Sequence, residues 1–159
     1  MKVVGTLVLT VCVPVLGWVV FEDYWYRQFI PKEIGLAYRL SIGSDSGFRE
    51  GCGVAVFKLS DETYQQISHE GISFFKNIQQ ARGSSDYSHS YGDWSATPRK
   101  DWTRDEDIYW GFCGGNLSES LQSLIIHRGK QEGSFYAFSH EAWLMIIPQE
   151  KLVIYSHNG

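Results

Sequence analysis

Positive charge is scarce in this chain, as are cysteines and the short motifs that announce a catalytic site. Of 159 residues, 14 are Lys or Arg and 18 are Asp or Glu, a net charge of −4. No basic stripe occurs, so a nucleic-acid partner is excluded on electrostatic grounds. With three cysteines, no C-x-x-C and histidines standing singly at His69, His89, His127, His140 and His157, the spacing of a zinc site is missing. The acidic stretch Asp101–Asp107 lacks the alternating acids and central Gly of a calcium loop. The sequence contains no G-x-S-x-G, no H-E-x-x-H, no Walker loop and no dinucleotide fingerprint. No cofactor or metal is therefore expected, and no catalytic residue is assigned. Internal repeats and low-complexity tracts are also missing.

Charge is rarest at the amino terminus. Lys2 stands alone before an apolar run from Val3 to Phe21. At about 1.5 Å per residue such a run just spans a hydrocarbon core of roughly 30 Å. The flank Glu22-Asp23-Tyr24-Trp25-Tyr26-Arg27 mixes charges with amphipathic rings suited to the headgroup level. An uncleaved signal anchor is the reading taken, with residues 3–21 as the membrane partner. Cleavage near Gly17 would instead give a secreted domain, although no Ala-x-Ala occurs there. A soluble helix apolar on every face needs a core wrapped around it, which is much to ask of so short a chain. The positive start and acidic far flank orient the rest toward the extracytoplasmic, periplasmic side. No polybasic patch follows the run to hold the domain on anionic lipid.

The organisation expected is a transmembrane segment and juxtamembrane flank over 1–30, then a single soluble α+β domain over 31–159. Leu36–Ile42 and Gly53–Leu59 read as strands, with Gly43–Gly47 as a turn cluster. Tyr64, Ile67, Gly71, Phe74, Phe75 and Ile78 share one helical stripe, which predicts a helix from Asp61 to about Ala81, capped by Ser60 or Asp61 and stopped at Gly83. On this reading Gly71 lets the helix approach the sheet. A second helix covers Leu117–His127, capped by Asn116 or Ser118. Ser134–Phe138, Ala142–Ile147 and Leu152–Tyr155 form a meander that turns at Pro148–Lys151. Strands in blocks favour a small antiparallel sheet of about five strands with two packed helices.

Between the helices lies a connection too long for a plain loop, Gly83–Gly115. It interleaves Tyr91, Trp94, Trp102 and Trp110 with Asp93, Asp101 and Asp105. Rigid rings with polar handles suit a protein surface or a sugar. The competing reading is that they fold over one sheet face and complete a small core. Cys52 and Cys113 form a candidate disulfide in an oxidising compartment, the alternative being two unrelated buried thiols.

The expectation is a membrane-tethered extracytoplasmic binding or accessory protein: an inhibitor, an immunity-type protein or a complex subunit. Loop 83–115 is its partner surface, through Tyr91, Asp93, Trp94, Trp102, Asp105 and Trp110. Its partner is another protein, with a glycan as the second choice. The alternative is a small envelope enzyme acting on glycan or cell-wall material through loop carboxylates such as Asp93 and Asp105, or through Cys113 with His127 or His140.

Overall fold

A computed structural model describes residues 16–46, 51–83, 90–109, 112 and 117–158. The chain is α+β and its sheet is wholly antiparallel. Six strands make the sheet: β1 (Leu36–Ser46), β2 (Gly51–Leu59), β3 (Ser95–Ala96), β4 (Phe135–Phe138), β5 (Ala142–Ile147) and β6 (Leu152–Asn158). Their spatial order is β1-β2-β6-β5-β4-β3. The sixth strand, beyond the five or so expected, is β3, whose two residues pair with Tyr136 and Phe135 and are too short to leave a period in the sequence. Among the described residues the helices are α1 (residues 16–28), α2 (Asp61–Glu70), α3 (Glu106–Tyr109) and α4 (Glu119–Gly129).

The meander stands close to its expected bounds. Continuous apolar runs in β5 and β6 reflect burial on both sides of the sheet. Side chains alternate, so Leu144, Ile146, Val153 and Tyr155 enter one core while Trp143, Met145, Ile147, Leu152 and Ile154 enter the other. The first core is closed by α1, α2 and the residues after them: Tyr26, Ile30, Ile34, Ile67, Phe75 and Ile78. The second is closed by α3, α4 and the long connection, through Trp102, Ile108, Phe112, Leu117 and Ile125.

Three local expectations need correction. The helix begun at Asp61 does not run to about Ala81. Its cap is Ser60, one of the two expected, accepting from the Thr63 amide at 3.3 Å. It ends at Glu70 because Gly71 takes φ +56°, a left-handed value that glycine tolerates, and a 3-10 turn follows over Gly71–Phe75. Gly71 does not approach the sheet either, since nothing lies within 4 Å of where its Cβ would be. Phe75 and Ile78 still reach the core across the break. Finally, β1 runs on through Gly43 and Ser44, which read as a turn, because β2 offers Val54 and Gly53 as ladder partners. Ser118, one of the two expected caps, does cap α4, accepting from the Leu121 amide at 3.3 Å.

No helix among the described residues is long and apolar enough to cross a membrane. Residues 3–15 of the apolar run lie outside the described residues. The flank that follows joins the domain: Tyr26 and Ile30 are buried in the first core, and Phe29 packs against it.

Candidate functional site

The connection between the helices divides between the two faces of the sheet. Its first limb packs on the first core. Tyr91 is only 4% exposed, and its hydroxyl donates to the Phe29 carbonyl at 2.7 Å. Burial pushes that phenol well above its ordinary pKa, with Tyr155 adding to the effect. Trp94 is half-buried. Its ring stacks on Phe75 with centroids 4.3 Å apart, and its indole N–H donates to the Ile78 carbonyl at 2.6 Å. Asp93 is exposed and accepts from Gln79 Nε2 at 3.2 Å.

The chain then passes the sheet edge through β3, and its second limb packs on the other core. Trp102 is 7% exposed. It lies against Tyr136 (centroids 5.0 Å apart) and Trp143 (6.2 Å). Asp105 is exposed and ion-paired with Lys130 at 2.6 Å. Asp93 and Trp94 are therefore brought together, and they are not brought together with Trp102 and Asp105. Trp110 and Cys113 lie outside the described residues, and so does any pairing of Cys113 with Cys52. Cys52 itself is half-buried on β2 and is not a free thiol.

Two open clefts follow from this arrangement. One, of about 320 Å³, is lined by Trp94, Asp93, Gln79, Lys76, Ile72 and Phe75. It joins an aromatic wall to one carboxylate, one amide and one ammonium, which is chemistry for holding a polar partner. Ile72, Lys76 and Gln79 were missed in the sequence because a continuous helix was expected there. The left-handed opportunity at Gly71 was the signal that could have revealed them. The other cleft, of about 360 Å³, is lined by Arg99, Asp101, Trp102, Arg104, Glu106 and Asp107. Four of its five charges are paired with one another. Arg99 pairs with Asp101 at 2.6 Å, and Arg104 with Asp107 at 3.0 Å. Asp107 also accepts from the amides of Arg104 (2.7 Å) and Thr103 (2.9 Å). The Arg104 amide first, then its guanidinium, hold this carboxyl down at about 2. A carboxyl held ionised in that way is unsuited to serve as a general acid.

The histidines considered as partners for a cysteine nucleophile are exposed, His127 on α4 and His140 in the β4–β5 turn beside Glu141. Among the described residues no group of three His, Cys, Asp or Glu is placed to hold a metal. The chain matches no protein-family model, no curated protein and no solved structure.

Proposed function

We propose that this chain is a membrane-tethered extracytoplasmic binding protein that holds its partner through the Asp93–Trp94 cleft. The tether is the run Val3–Phe21, and the partner is another protein. The observation that carries this reading is the cleft itself. A half-buried indole braced by Phe75 stands beside exposed Asp93 and Gln79, in a cleft that Lys76 also lines. A rigid aromatic wall with polar groups at its rim is how binding surfaces concentrate affinity. Trp102 serves on this reading as core, and Asp105 as a surface ion pair. A Cys52–Cys113 disulfide would suit the oxidising side of the membrane.

The second reading, a small envelope enzyme acting on glycan, draws on the same indole face, which would also suit a sugar ring. It is the weaker one. Glycoside hydrolysis needs two carboxyl groups flanking one bond, about 5–9 Å apart, and Asp93 is the one carboxylate among the residues lining that cleft.

The test is recovery of the full-length protein from membranes of its native host, with bound partners identified, for the wild type and for Asp93→Ala with Lys76→Ala. Loss of one specific protein from the variant supports the reading. Retention of every partner removes the cleft from it. A reporter that works only outside the cytoplasm, fused after Gly159, should be active; silence at normal expression would reverse the orientation.

A further inference from the structure

The apolar run and the folded domain overlap on α1, and the overlap limits how much of the run is left to cross a bilayer. Arg39 of β1 donates to the Val19 carbonyl at 3.2 Å and pairs with Glu22 at 3.2 Å. Tyr26 lies so close over β2 that a Cβ at Gly53 would strike its hydroxyl. Ser44 of β1 shares a cleft of about 250 Å³ with Trp18, Phe21 and Trp25. From Val19 onward, then, the helix belongs to the domain. The part of the run ahead of it is Val3–Trp18, which as a helix would measure about 24 Å. That is several ångströms short of a hydrocarbon core of roughly 30 Å.

The outer side of α1 is aromatic and open. Trp18 is 64% exposed and Trp25 52%, with Phe21 and Tyr24 also exposed. Ring follows ring along it: Trp18 to Phe21 at 6.0 Å, Phe21 to Trp25 at 6.1 Å and Trp25 to Phe29 at 5.7 Å. Phe29 in turn stacks on Tyr155 at 5.0 Å, so the row is fixed to the core. The nearby charges are paired, Asp23 with Arg27 and Glu22 with Arg39.

We propose that this aromatic side of α1 is seated in the lipid headgroup layer, so that the domain lies flush on the bilayer instead of standing off it. The inference rests on the tether reading above and adds the surface that meets the lipid. A span too short for its bilayer draws its flanks toward the interface. Indole rings are the side chains that settle at that depth. With the adjacent charges neutralised in pairs and no basic cluster, the matching surface is zwitterionic lipid.

The experiment uses the full-length chain in phosphatidylcholine vesicles, brominated either near the carbonyls or near the chain ends. Shallow bromines should quench tryptophan fluorescence more than deep ones. In Trp18→Phe with Trp25→Phe, whose exposed positions leave the thermal midpoint in place, the shallow quenching should fall by about half or more, because the rings at interface depth are gone. A chain that floats with the vesicles but shows the same quenching in the variant overturns the seat and leaves the tether standing. So does a floating chain that cross-links as a dimer through position 21 with no shallow quenching, which assigns the face to a second copy. A chain that does not float with the vesicles overturns the tether reading, and the seat with it.

Discussion

The two faces of the sheet bury comparable sets of large apolar side chains, but they hold their irregular segments in different ways. On the first face, buried or half-buried polar groups fasten the connecting chain to backbone carbonyls. Arg82 donates to the carbonyls of Ile30 (2.9 Å), Pro31 (3.0 Å) and Ile34 (2.9 Å). Tyr91 and Trp94 do the same to Phe29 and Ile78. On the second face most of the corresponding ties are ion pairs, Lys130 with Asp105, Arg104 with Asp107 and Arg128 with Glu150, beside a tie from the buried Thr97 hydroxyl to the Gln131 carbonyl at 2.5 Å. Buried there, the Trp143 indole N–H and the Ser134 hydroxyl have no hydrogen-bond partner among the described residues. A bond to a carbonyl removed from water is costly to lose, since the carbonyl is left unsatisfied. An exposed ion pair contributes little. The first face should therefore respond to single polar substitutions, and the second should tolerate them at its ion pairs.

The sharpest way to probe this contrast is from the apolar side. Phe75 is buried against Trp94 and Phe135, and Phe75→Ala should cost about 3–5 kcal/mol by denaturant unfolding. It should also loosen Trp94, seen as a change in near-ultraviolet circular dichroism. Next in size is Arg82→Met, which takes the donor from the Ile34 carbonyl and one of two donors from the carbonyls of Ile30 and Pro31, and should cost about 1–3 kcal/mol. A loss under about 0.5 kcal/mol there would dissolve the distinction between the faces.

Acid separates them further. Burial holds His157 below its ordinary 6.5, against a smaller opposing pull from Glu141. The unfolded chain then binds a proton more readily, so this contribution is complete above pH 6.5 and is lost as pH falls below it. On the second face Asp107 is held near 2 against an ordinary 3.8, and its contribution fades only as pH falls from about 3.8 toward 2. Stability measured against pH should lose its first descent in His157→Gln and its second in Asp107→Asn. Identical profiles for wild type and both variants would refute the assignment. The smallest effect expected is Lys130→Met, under about 0.5 kcal/mol although its pair with Asp105 is short.

Much of the fold could be read from the residues because local and global signals agreed. Ala142–Ile147 and Leu152–Tyr155 are strands by composition, and burial on both sides explains their unbroken apolarity. Ser60 and Ser118 cap helices for the reason their side-chain oxygens predict. The failures came where tertiary placement decided. Gly71 fits a helical stripe by spacing, yet its φ freedom ended the helix there. Gly43 and Ser44 have turn chemistry, yet a neighbouring strand recruited them. Residues 22–30 read as the flank of a membrane span, with rings at the headgroup level, so the roles of Tyr26 and Ile30 in the core were hidden. The candidate site was half legible. In the long connection Tyr91 and Trp102 are core, while Asp93 is exposed and Trp94 half-buried beside it. Which ring took which part depended on a two-residue strand, β3, that sends the chain around the sheet edge.

The seating of α1 has a mechanical side. Tyr26 and Ile30 are rooted in the first core, and Arg27 reaches from the same helix to the carbonyls of Leu36 (3.5 Å) and Ala37 (3.4 Å) at the start of β1. A domain hung on a flexible linker is insulated from whatever pulls on its anchor. Here there is no slack between residue 16 and the sheet. A load on the amino-terminal run would travel along α1 as along a lever and arrive at β1 and β2 as shear. The helix therefore couples the position of residue 16 to the strain in the edge strand β1 and its neighbour β2.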